Sequence, residues 1–129
     1  MFGRRIVSLV TLALLLPPVL PAAPALAAAK PTAVGQCVQT TIKLKGSRLE
    51  GMPNSGDAVV YANGIFGVSY ERVPDLRRAR AGDPIKLCLT SLPEDCPPGD
   101  DRGKMYKATD LRTHKSWELP DAEHMCGGA

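Results

Sequence analysis

Apolar and polar residues alternate with a period of two along several short stretches of this chain, and that period predicts strands. In Val38-Gln39-Thr40-Thr41-Ile42-Lys43-Leu44 the apolar positions are even-numbered. In Ile85-Lys86-Leu87-Cys88-Leu89 they are odd-numbered, and a strand is expected over Ile85 to Thr90. Between them, Gly46 to Gly56 holds three glycines, Pro53 and Asn54, which predicts a loop. Lys104–Thr109 and Lys115–Leu119 predict two further strands around a turn at Asp110–His114. No internal repeat occurs.

The strongest local signal is Asn63-Gly64, set between Ala58-Val59-Val60-Tyr61-Ala62 and Ile65-Phe66-Gly67-Val68-Ser69-Tyr70. Asn-Gly suits a two-residue hairpin turn, because a type I′ turn needs positive φ at both central positions. That turn would pair Ala62 with Ile65, Tyr61 with Phe66 and Val59 with Val68. Tyr61, Phe66, Val59 and Val68 would then share one face. From Val73 to Gly82 the pattern changes. Pro74 suits the first helical position, Asp75 the first turn, Arg77, Arg78 and Arg80 the late positions, and Gly82 the stop. The fold expected is mainly β: a small antiparallel β-sandwich or β-barrel with one short helix and two disulfides. An α+β sheet with a more substantial helix is the alternative.

The N-terminus follows another logic. Arg4-Arg5 precedes the apolar run Ile6–Leu16, and small residues and prolines follow as far as Ala29. Basic, then apolar, then small is the order of a secretory signal. The run is too short for a helix that crosses a bilayer, which needs about 20 apolar residues. Two small-x-small sites fit, Ala25-Leu26-Ala27 and Ala27-Ala28-Ala29, and cleavage is placed after Ala27. The chain then divides into a signal peptide over 1–27, a flexible leader over 28–36, one β domain over 37–126 and a tail over 127–129. The location is periplasmic or secreted, with no integral membrane segment after cleavage.

Removing the signal takes away Arg4 and Arg5 and lowers the formal charge from +3 to +1. A near-neutral mature chain gives no general reason to expect nucleic acid as a partner. All four cysteines, Cys37, Cys88, Cys96 and Cys126, lie in the mature part. An even count in a small exported chain reads as two disulfides, and no Cys-x-x-Cys points to a metal instead. Three pairings are open. Cys37 and Cys88 each point away from the apolar residues of their strands, which favours Cys37–Cys88 and leaves Cys96–Cys126.

Candidate chemistry is sparse. The acidic loop Glu94-Asp95-Cys96-Pro97-Pro98-Gly99-Asp100-Asp101 offers oxygens to calcium but lacks the EF-hand spacing, so a solvated turn is the preferred reading. His114 and His124, with Glu118, Glu123 and Arg112, can be combined into an acid–base pair, which gives an alternative reading as a small secreted hydrolase. No spacing supports that pair. The sequence assigns no catalytic residue, no metal ligand and no cofactor. For binding it offers the basic group Arg72, Arg77, Arg78 and Arg80, diluted by Glu71, Asp75 and Asp83, and the aromatics Tyr106 and Trp117. The first reading is a non-enzymatic domain that binds another envelope or secreted protein.

Two resemblances carry residues. The stretch from Leu87-Cys88-Leu89-Thr90 through Cys96-Pro97-Pro98-Gly99-Asp100-Asp101-Arg102-Gly103, with Ser116-Trp117-Glu118-Leu119-Pro120-Asp121 and His124-Met125-Cys126-Gly127-Gly128, resembles small bacterial secreted proteins of unknown function. That resemblance covers most of the mature chain and implies export. Gly103-x-x-Tyr106 followed by Trp117 is similar to the Ser-Gly-x-x-Tyr pattern of periplasmic lysozyme-inhibitor β-barrels, with Arg102 in place of the serine. It implies an inhibitor-like barrel as a further alternative and transfers no inhibitory residue.

Overall fold

The computed structural model describes residues 3, 13–20 and 29–128. The expected signal peptide therefore lies mostly outside the described residues. Among those described, no helix is long and apolar enough to cross a membrane. Six strands form one antiparallel sheet: β1 (Cys37–Leu49), β2 (Met52–Tyr61), β3 (Phe66–Ser69), β4 (Pro84–Ser91), β5 (Met105–Asp110) and β6 (Ser116–Pro120). Their order is β3-β2-β1-β4-β5-β6. The one described helix, α1 (Pro74–Arg78), has five residues, so the mainly β expectation holds and the α+β alternative falls.

The long strand β1 serves two halves. Cys37–Thr41 pairs with β4, and the rest, from Ile42 onward, pairs with β2. The sheet curls until its end strands β3 and β6 approach each other. Gly67 backs onto Leu119 there, where a Cβ on the glycine would sit 3.4 Å from the leucine side chain. Across the interior, Trp117 Nε1 donates to the Tyr61 hydroxyl at 2.8 Å. Ile42, Val59, Tyr61, Ile85, Leu87, Leu89, Ala108, Trp117 and Leu119 fill the space, and Leu76 of α1 and Ala79 just after it join the same core. A fully buried aliphatic side chain of this kind contributes about 1.5–3 kcal/mol.

Both disulfides form as the strand faces suggest. Cys37 lies directly opposite Cys88 in the β1–β4 ladder and is bonded to it, outside the core. Cys96 is bonded to Cys126 and fastens the C-terminal tail to the loop before β5. On β4, Ile85, Leu87 and Leu89 point inward, as the alternation predicts.

Three expectations are corrected. Residues 46–56 are not a loop: β1 and β2 run through them and meet at a tight turn at 50–51, with Gly51 at φ 73°. Gly56 is needed for a close approach instead, since a Cβ there would fall 1.9 Å from the Ser69 carbonyl oxygen. The Asn63-Gly64 hairpin exists but is shifted by one residue, with Val60 opposite Phe66 and Val59 opposite Gly67. Tyr61 N–H donates to Ile65 O across a three-residue connection with Gly64 at φ 85°. A one-residue slip exchanges faces, so Phe66 points outward while Val59 and Tyr61 point in. The helix ends earlier than Gly82, because the Asp83 carboxylate draws the Arg80 N–H out of the helical path at 2.8 Å. Residues of the expected leader contact the domain: Asn63 Nδ2 donates to Ala29 O at 3.0 Å, Gly35 N–H donates to Leu89 O at 2.8 Å, and Pro31 is buried.

Candidate functional site

The handover within β1 leaves part of its edge open. Thr41 is the last β1 residue paired with β4, because β4 begins at Pro84 and the preceding chain turns away toward α1. From Lys43 to Leu49, β1 has a strand neighbour on its β2 side alone among the described residues. Seven residues of strand span about 20 Å. Beside this edge, against α1, runs a groove of about 180 Å³ lined by Lys45, Gly46, Ser47, Asp57, Leu76 and Arg77.

The outer surface here is apolar. A register shift between Ile42 and Leu44 makes Lys43 the extra residue of a bulge and turns Leu44 outward, 62% exposed. Leu44 is opposite Val60, and Val60 is opposite Phe66, so the three form a row across β1, β2 and β3. Gly46, Ala58 and Val68 form the next row, in which Val68 is buried. With no side chain on Gly46, a shallow slot of about 410 Å³ opens between Leu44, Ala58 and Val60, bordered by Lys45 and Glu50. The outer face of an antiparallel sheet normally carries polar residues; here Leu44 stands clear beside the half-buried Val60 and Phe66, which makes this strip the candidate contact surface.

The inner side of the edge is polar and organised by one buried carboxylate. Asp57 accepts from Val73 N–H at 2.6 Å and from Arg77 Nε at 2.9 Å, and Arg77 Nη2 lies 2.8 Å away. Arg77 Nη2 also donates to Pro53 O at 3.0 Å, and Lys45 Nζ donates to Arg77 O at 2.9 Å. Its hydrogen bond to Asp57 raises the Arg77 guanidinium above its ordinary pKa. The expected patch of Arg77, Arg78 and Arg80 is therefore divided. Arg77 holds α1 against β2, and Arg78 faces Asp75 at 3.4 Å. Arg80 is exposed, with no carboxylate partner among the described residues. Arg72 is bonded to Asn54. The cations of the open part of β1 without a carboxylate partner among the described residues are Lys43 and Lys45.

At the same end a second cluster closes the barrel. Asp83 accepts from Arg112 Nε at 2.7 Å and Nη2 at 2.9 Å, and from Arg80 N–H. The Arg112 guanidinium hydrogen bonds outweigh burial and hold the Asp83 carboxyl well below the usual carboxylate range. Asp110 is fully buried; its Oδ1 accepts from Arg112 N–H and Thr113 N–H, and its Oδ2 has no hydrogen-bond partner. A depressed carboxyl stabilises the fold above its unfolded pKa of about 3.9, and that gain is lost as pH falls toward the folded value. Asp83→Asn is thus expected to lower the urea midpoint at pH 6, and the gap to wild type should close between pH 4 and pH 2. A gap that stays constant over that range would refute the assignment.

The remaining sequence candidates are dispersed. Tyr106 and Trp117 are 7% and 5% exposed and belong to the core, because both fall on the inward phase of β5 and β6. They offer no anchor to a partner, and Tyr106, carried in the Gly103-x-x-Tyr106 pattern, does not stand on a loop. Burial pushes the Tyr61 phenol above its ordinary range. His114 sits in the β5–β6 turn and His124 beyond the far end of the same hairpin. Glu118 accepts from Thr90 Oγ1, and Glu123 pairs with Arg48 at 3.3 Å, so the acid–base group drawn from the sequence is not assembled. In the acidic loop Asp100 accepts from Arg102 Nε and Nη2, both at 2.8 Å, and from Gly127 N–H, while Asp101 pairs with Lys104. Those contacts hold both carboxyls below the usual range. Among the described residues no three His, Cys, Asp or Glu side chains converge as metal ligands.

Sequence reasoning missed Leu44, Gly46, Val60 and Phe66 as a surface. Leu44 and Phe66 read as core from their alternation, and the bulge and the hairpin slip turn them outward to join Val60. Comparison of the chain with protein-family models, with curated proteins and with solved structures found no match.

Proposed function

We propose that this is a non-enzymatic, exported domain that binds another macromolecule through the open edge of β1 and the apolar row beside it. The observation that carries the reading is the row Leu44–Val60–Phe66, an apolar strip on the outer face of a half-sheet whose edge is unpaired. The basic–apolar–small order at the N-terminus supports export, and two disulfides suit an oxidising compartment.

The mature chain from residue 28, tagged and produced in an oxidising periplasm, tests this. A near-stoichiometric partner is expected to co-purify and to be lost at least tenfold on Leu44→Glu. Lys107→Glu, exposed on β5, should leave capture unchanged. Capture indifferent to Leu44→Glu, or no partner at any salt concentration, would overturn the reading.

A further inference from the structure

We infer that the partner presents an extended segment which adds as a strand to β1 at Leu44–Ser47, with apolar side chains alternating with acidic ones. This rests on the binding reading above and specifies its ligand.

An unpaired strand edge offers main-chain donors and acceptors to a further strand, and pockets for alternate side chains then select its sequence. The register stays regular from Leu44 to Ser47, bounded by the irregularities at Ile42/Leu44 and Ser47/Leu49, so about four residues of ligand can pair. The outer face is clear here, since a Cβ built on Gly46 meets nothing within 4 Å, and the groove between β1 and α1 lies beside the edge. An added strand continues the half-sheet β3-β2-β1, and its side chains point alternately to the two faces. Outward residues lie along Leu44 and the slot above Gly46, which takes apolar groups. Inward residues face the groove toward α1, beside Lys45, Ser47 and Arg77.

Charge decides what those inward residues are. The one carboxylate lining the groove, Asp57, is already bonded to Arg77. Lys43 and Lys45, both on the edge strand, have no carboxylate partner among the described residues. Acidic side chains complement that edge, and the attraction should weaken with salt.

Two other occupants fit less well. A second copy paired about Leu44 sets Lys43 against Lys45, and like charges directly opposite are unfavourable. The chain's own residues 1–28 contain Arg4 and Arg5 and no acidic residue, so they do not match the edge.

The test uses the mature, disulfide-bonded chain, ¹⁵N-labelled, and the peptide acetyl-Val-Glu-Val-Glu-Val-Glu-amide. Saturable amide shifts are expected at Leu44–Ser47 and in α1. Affinity should fall at least tenfold for the Val-Lys counterpart and for Lys43→Glu, whose thermal unfolding should match wild type because Lys43 is exposed and its side chain makes no hydrogen bond among the described residues. Shifts confined to other surfaces, no shifts, or equal affinity for the Val-Lys peptide would overturn strand addition. So would a dimer that forms through β1 in place of peptide binding. If a partner is captured in a Leu44-dependent way while the peptide leaves these amides unmoved, strand addition falls and the binding reading stands.

Discussion

Asp57→Ala is expected to destabilise the domain by about 3 kcal/mol and to free α1 from the barrel. The Asp57 side chain is 4% exposed and joins three segments: it accepts from the N–H of Val73 before α1 and from Arg77 within it, and it stands on β2 opposite Ser47 and Ser69. Removing the carboxylate leaves the Val73 N–H and one face of a guanidinium without an acceptor in a partly buried site. Orphaned groups cost more than the bonds they made. Leu76 depends on the same attachment to stay in the core. Equilibrium urea unfolding measures the loss, and amide hydrogen exchange should show protection falling in α1 before it falls in β4. A loss below 1 kcal/mol, or uniform loss of protection, would refute this role. Charge reversal at Arg77 is for the same reason a poor probe of partner binding, since it breaks the attachment as well as the patch.

Replacing Cys37 and Cys88 together with serine should cost about 4 kcal/mol. The chain-entropy argument gives that figure for two residues 51 apart, as these are. The Cys96–Cys126 bridge, with a separation of 30, has a nominal value only slightly smaller. Its observed effect should be less, because it closes a peripheral loop and tail that can open while the barrel persists. Cys37–Cys88 instead clamps the ladder that unites the two halves of the sheet. Urea midpoints of the two double-serine variants check the order. Equal shifts would mean that the tail is as integral to cooperative unfolding as β1 and β4 are.

How far the sequence leads depends on the kind of interaction. Period-two alternation places Ile85, Leu87 and Leu89 inward and Cys88 outward without further information, and a matching phase at Cys37 yields the correct bridge. Pro74 and Asp75 locate the start of α1. What fails is register. Asn63-Gly64 suits a two-residue and a three-residue connection alike, and the choice between them moves Phe66 from core to surface. A single extra residue at Lys43 does the same to Leu44. Neither leaves a mark in composition. The role of Arg77 was hidden for another reason: its partner lies 20 residues earlier on a strand that glycines made look like a loop. The candidate site is made largely of these features, which is why the fold was more legible than the site.

The sharing of β1 between two halves also sets an order of events. β1–β2–β3 and β4–β5–β6 are each built from strands consecutive in the chain, so each can form by closing short loops. The β1–β4 ladder is the one long-range pairing between them, and its closure is the slow, entropically costly step. Cys37 and Cys88 meet only when that step is complete. Before it, the nearest thiol to Cys88 along the chain is Cys96, eight residues on, and short loops close most readily. A chain oxidised before that step is expected to form a Cys88–Cys96 bond that the native sheet must undo, so its yield should rise with a catalyst of thiol–disulfide exchange.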